Sequence, residues 1–281
     1  MPVFWFQSFV DAILKILKER LNPEAFSANS HIAIHFVAPL ATSLCAVLAV
    51  AVTVHYAFSK QSYFEIFTIL ALILLKFLAY YIGNMFLHDC EKTLEASQTR
   101  LPSSNVLNAC SILVIITITL LSLIFLAYLF NIIPENIDKQ IDNTLLVSLI
   151  DQSWAIIAFI GLIYLLIDVL TLLLNGRLLG ITYSTTANSA EVFATISTLL
   201  LRITLALSPI LFAAAAFTGL VYVGEAAYSY YLDKSQPISL VYFYIGFTCL
   251  GLVAPLINFI VFNTTNWFFA LIINLSSNTR G

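Results

Sequence analysis

The stretch YFEIFTILALILLKFLAYYIGNMFL, residues 63–87, decides the solvent in which this chain folds. As a helix rising 1.5 Å per residue it extends about 37 Å, enough to cross a hydrocarbon core of roughly 30 Å. Near its middle stands Lys76. A charge at bilayer depth costs roughly 2.5 kcal/mol or more, so a lysine placed there is expected to face a protein interior, not lipid.

The rest of the chain reads the same way. Hydrophobic residues make up 60% of the 281 and charged ones 10%, with a mean hydropathy of +0.96. A soluble domain carries about a quarter charged residues. Because lipid offers no water to backbone N–H and C=O groups, each spanning segment must be a helix or part of a closed barrel. Barrel strands would alternate apolar and polar residues. The runs here are continuously apolar, so the fold class is all-α, a polytopic integral membrane helical bundle.

Six spans follow from the apolar runs, at residues 32–58, 63–88, 106–130, 153–175, 192–224 and 238–262. The fifth is long enough to tilt or to extend beyond the membrane. Pro209 and Pro255 fall inside the fifth and sixth, where each removes a backbone donor and is expected to kink its helix. Residues 1–31 form an N-terminal interfacial helix and linker, 32–262 the six-helix domain, and 263–281 a C-terminal interfacial segment and tail.

At the N-terminal end, Phe6, Phe9, Val10, Ile13, Ile16 and Leu17 share one helical side, opposite Gln7, Asp11, Lys15, Lys18 and Glu19. Trp5 and Phe6 are its membrane-interface candidates, together with Trp154 and Trp267 elsewhere in the chain. At the other end, continuous helix over 238–275 would reach about 57 Å, so a break is expected at the polar run 263–266.

Orientation comes from Lys and Arg. One side receives Lys15, Lys18, Arg20, Lys92, Arg100, Arg177 and Arg280, the other Lys60, Lys139 and Lys234. This asymmetry places both termini in the cytoplasm, with a cell (inner) membrane as the expected location. The acidic connection 131–143 then faces outward, and Gly176-Arg177-Leu178-Leu179-Gly180 reads as a cytoplasmic turn with a positive anchor.

Three charges lie well inside the spans, Lys76, Asp168 and Arg202, whereas Glu65 lies near an outer end and can reach the interface. Asp168 and Arg202 fall at similar depth, which predicts an ion pair between them. His31 and His35 at the start of the first span meet the depth of His88 and Cys90 at the end of the second. Imidazole and thiolate suit zinc or copper, so these four are weak metal candidates, although Cys-x-x-Cys and His-Glu-x-x-His are both missing. Cys45, Cys110 and Cys249 sit inside spans, where packing is the default. The small residues Ala213, Ala216, Gly219 and Gly224 smooth the fifth span for close helix contact.

The chain has no Gly-x-Ser-x-Gly elbow and no phosphate loop, so no catalytic residue and no cofactor are assigned. The function expected from these features is a membrane-embedded subunit of a larger translocation or transport apparatus. The alternative is a standalone ion or small-solute transporter or channel using the buried charges, and an intramembrane metal or haem enzyme is disfavoured. Expected partners are the lipid bilayer and other membrane subunits or further copies of this chain, not nucleic acid.

Overall fold

The computed structural model describes residues 12–137, 143–187, 189–232 and 238–278. Residues 12–20 are helical and lead to α1 (Pro23–Ile32), a π-helical turn (Ala33–Val37), α2 (Ala38–Lys60) and α3 (Phe64–Ala96). A short strand β1 (Thr99–Leu101) precedes α4 (Asn105–Ile137) and α5 (Asn143–Leu174). A 3-10 turn (Gly176–Leu179) and a second strand β2 (Ile181–Tyr183) then lead into α6 (Ser189–Ala206), α7 (Ser208–Leu232), α8 (Ser239–Leu252) and α9 (Ala254–Asn278). Among the described residues seven helices are long and apolar enough to cross a membrane. The chain is an all-α, multi-pass membrane bundle.

Seven helices, against six apolar runs, follow from one bend. The run 192–224 is shared by α6 and α7, which meet at Leu207. Leu207 N–H donates to the Ile203 carbonyl at 2.9 Å and its own carbonyl accepts from Leu211 N–H at 2.9 Å. Helical bonding thus carries the chain through the bend without reversing it. Pro209 supplies the cause, since it lacks an N–H for the Leu205 carbonyl. The α8–α9 junction repeats this: Val253 donates to Cys249 (3.1 Å), Ile257 donates to Val253 (3.3 Å), and Pro255 leaves the Gly251 carbonyl without its helical donor.

A third interruption, not anticipated from sequence, precedes Pro39. Its ring cannot donate to the His35 carbonyl, and the chain widens there into the π turn, closed by Ala38 N–H on the Ala33 carbonyl. Conversely, the break expected at 263–266 does not occur, because α9 runs through it. Asn263, Thr264 and Thr265 return their side-chain donors to the carbonyls of Phe259, Ile260 and Val261 at 2.8–2.9 Å. These polar groups are satisfied without leaving the helix.

In the bundle, α7 lies between α2 and α8, α3 packs on α2, α8 and α9, and α6 packs on α9. The bends meet in one apolar layer of Ala38, Leu87, Phe212 and Leu252. Above it, Cys45, Ala49, Ile69, Val223 and Ile245 form a second buried cluster. The α4–α5 hairpin stands to one side, joined to the helical residues 12–20 by Leu14, which packs against Leu170 and Leu174. Strands β1 and β2 pair in parallel, Thr99 opposite Ile181 and Leu101 opposite Tyr183. They are too short to have been read as strands from the sequence.

Straight α3 accommodates the bent α8–α9 pair at Gly83, where a Cβ atom would collide with the Leu252 backbone carbonyl oxygen and approach Phe212. Backbone cannot yield as a flexible side chain does. Gly83→Ala is therefore expected to destabilise the protein by about 1–3 kcal/mol, measured by unfolding in detergent micelles. An unchanged midpoint would show that the layer is loose enough to absorb a methyl group.

Candidate functional site

Arg202, on α6, is fully buried. Its Nη1 donates to the Leu179 carbonyl (2.9 Å), its Nη2 to the Ser97 carbonyl (2.8 Å) and its Nε to Thr198 Oγ1 (3.3 Å), while the Phe262 ring centroid lies 5.3 Å from the guanidinium carbon. These acceptors come from irregular chain: Ser97 caps α3, and Leu179 ends the 3-10 turn. Gly180 follows at φ 67°, a left-handed conformation that glycine adopts without steric cost. The fork of the guanidinium thus ties α6 to the two connections that lead into the parallel strands.

The expected Asp168–Arg202 pair does not form. Asp168 is 5% exposed, and its Oδ2 is buried with no hydrogen-bond partner. Equal depth along the membrane normal says nothing about azimuth around a helix, and the arginine instead donates to two carbonyls and one hydroxyl, dipoles that stabilise a cation without a carboxylate.

Lys76, on α3, is 1% exposed. Its Nζ donates to Cys45 Sγ at 2.9 Å and to Thr248 Oγ1 at 3.4 Å. Both partners have acceptors of their own: Cys45 Sγ donates to the Gly219 carbonyl (3.6 Å) and Thr248 Oγ1 to the Ile245 carbonyl (3.0 Å). The amine sits in the dry interior, at the junction of α2, α3, α7 and α8.

Histidines build a different environment. A cavity of about 510 Å³ opens between the π turn, the later half of α3 and the α6–α7 bend. Ser27, Ser30, His31 and His35 form one wall; Asn84, His88 and Glu91, spaced as one stripe of α3, form the facing wall; Leu205, Ala206 and Pro209 close the bend side. His31 and His35 have ring centroids 4.3 Å apart. The Ser30 hydroxyl is buried and has no hydrogen-bond partner. Lys76 does not line this cavity.

Of the four weak metal candidates, His31, His35 and His88 therefore share one cavity and Cys90 does not. Two positions beyond His88, Cys90 turns to the opposite side of α3 and donates to the Pro255 carbonyl at 3.4 Å. Among the described residues no three His, Cys, Asp or Glu side chains are grouped closely enough to hold a metal ion. Asn84, Glu91 and Ser30 were not singled out by sequence. A helical-wheel stripe through His88 would have found the first two. Of the interface candidates, Trp267 on α9 is exposed, Trp154 lies on α5, and Trp5 and Phe6 fall outside the described residues.

No family model matches the chain, and neither a curated protein nor a solved structure matches it.

Two predictions follow from the charges. Arg202→Gln should cost about 3 kcal/mol or more, since it strands two buried carbonyls, whereas Asp168→Asn should cost less than about 1 kcal/mol. Their effects should add within about 0.5 kcal/mol in a double-mutant cycle on unfolding in micelles. Coupling larger than that would reinstate the ion pair. Lys76→Met, by contrast, should leave stability within about 1 kcal/mol of the parent or raise it, because its removal orphans no partner. A loss above about 3 kcal/mol in the same assay would place the amine in an obligatory network.

Proposed function

We propose that the chain is a membrane-embedded component of a transport apparatus, with the cavity at the helix bends as its solute-binding site. One observation carries this reading: an open cavity with a polar mouth coincides with helices interrupted by proline. Transport sites are commonly built where discontinuous helices meet, and π turns recur at functional positions. Leu205, whose carbonyl loses its helical donor to Pro209, is one of the lining residues. The Lys and Arg asymmetry of the sequence supports a cell-membrane orientation with both termini cytoplasmic, which opens the cavity to the cytoplasm.

Membership of a larger assembly draws on a separate observation. Only 6% of the most apolar window of α4, within Asn105–Tyr128, is buried in the chain itself, although the hairpin it forms with α5 runs the full length of the bundle helices. Its apolar flank is available to lipid or to a neighbouring membrane subunit. The standalone carrier is the alternative, and the burial of Lys76 outside the cavity lining speaks against that residue as its solute path.

A transport component exposes one site to both sides of the membrane in turn. In a background lacking the four native cysteines, Asn84→Cys should react with a membrane-impermeant maleimide from either side of oriented vesicles. Labelling confined to a single side under every condition would reduce the cavity to a one-sided binding site and defeat the transport reading.

A further inference from the structure

The cavity separates its chemistry by depth. Leu87, Leu94 and Leu205 in its lining are 5%, 6% and 1% exposed, whereas His31, His35, His88 and Glu91 are exposed. On α3 the polar stripe begins where the apolar run 66–83 ends and continues into Asp89, Lys92 and Glu95. The mouth of the cavity thus sits at the edge of the apolar zone, with the leucines behind it. A wholly polar solute would leave that leucine floor uncovered, and a wholly apolar one would strip water from three imidazoles and a carboxylate without replacing their hydrogen bonds.

The mouth itself carries both polarities. Imidazole N–H groups of His31 and His35 provide donors on one wall, whereas the Ser30 hydroxyl, itself buried, is closed to a ligand there. Across the cavity, Glu91 supplies a carboxylate, one turn beyond His88. A purely anionic headgroup would meet that carboxylate unfavourably, and a metal ion lacks three grouped ligands among the described residues. A head carrying a phosphate and a primary ammonium satisfies both walls: phosphate oxygens accept from the imidazoles, and the ammonium donates to Glu91.

We propose that the cavity binds a zwitterionic amino-phosphate amphiphile of the phosphatidylethanolamine class, its headgroup held by His31, His35 and Glu91 and the start of its acyl chains against Leu87, Leu94 and Leu205. The inference deepens the reading of the cavity as a solute site and rests on it for transport, but binding is measured separately from movement. One-sided labelling of Asn84→Cys together with retained binding would sink transport alone.

The full chain in detergent micelles is titrated with dioctanoyl phosphatidylethanolamine, dioctanoyl phosphatidylglycerol and free O-phosphoethanolamine. The ethanolamine lipid should bind about tenfold more tightly than the glycerol lipid, a difference of the size expected from one charge-assisted contact. Glu91→Gln, a substitution of equal size at an exposed position, should bring the two lipids within about threefold of each other. The double variant His31→Ala with His35→Ala should weaken both lipids by about tenfold or more. Equal binding of the two lipids by the parent, or an unaltered preference in Glu91→Gln, overturns the headgroup assignment. Free O-phosphoethanolamine binding as tightly as the lipid overturns the amphiphile and leaves a soluble amino-phosphate as the ligand.

Discussion

At the centre of this bundle three bends, at Pro39, Pro209 and Pro255, each surrender a backbone hydrogen bond to a proline, and the structure around them is organised to make that tolerable in lipid. Inside a bilayer an unsatisfied carbonyl costs several kcal/mol, roughly, because no water replaces the lost partner. Pro39 is answered by the π turn, in which Ala38 reaches back to Ala33. Near Pro209, Ser208 returns its hydroxyl to the Thr204 carbonyl at 2.9 Å and accepts from Asn258 Nδ2 at 3.4 Å, which stitches one bent helix pair to the other. At Pro255 the Cys90 thiol reaches the carbonyl of the proline itself. Because the bends lie in a common layer, a single apolar cluster serves all three, and one glycine on α3 makes room for Phe212 and Leu252 within it.

The buried charges are handled by the same means as the bends, with backbone dipoles and small polar side chains in place of opposite charges. Arginine suits this because its five donors lie in a fixed fork that several carbonyls can meet together. The chain supplies those carbonyls from two places outside its α-helices and strands, the end of α3 and the 3-10 turn. Tied in this way, the connections after α3 and α5 cannot drift apart, and the short strand pair follows from that proximity as much as it causes it. Arg100 N–H donating to Glu191 Oε1 at 3.1 Å fastens the start of α6 to the same place.

Hydropathy made the helices legible because a membrane span is a local property: about twenty apolar residues suffice, whatever their neighbours do. It was blind to the division of 192–224, since a bend leaves hydropathy unchanged; Pro209 marked the spot but not whether the two halves should be counted once or twice. The same limit misplaced the break in the last span, where Asn263 and Thr264 look like an interruption until their side chains are seen to bond within the helix. Depth could be read from sequence and azimuth only partly. His31, His35 and His88 meet because depth and facing agree, while Cys90, at nearly the same depth, faces the opposite way, and Asp168 and Arg202 fail to meet for the same reason.

Azimuth also explains why Lys76 and the histidine cavity are separate environments despite sharing α3. Asn84, His88 and Glu91 follow one stripe toward the π turn, whereas Lys76, Ala79, Gly83 and Leu87 follow the buried face toward α7 and α8. Ala213, Ala216 and Gly219 let α7 approach that face closely, which excludes water from the amine and leaves it only a thiol and a hydroxyl. Leu87 lies on both boundaries, lining the cavity and belonging to the apolar layer of the bends. A change of angle at Pro209 or Pro255 would therefore reshape the cavity through Leu87 and Leu205, and would reach Lys76 only through Gly219 on α7 and Thr248 on α8.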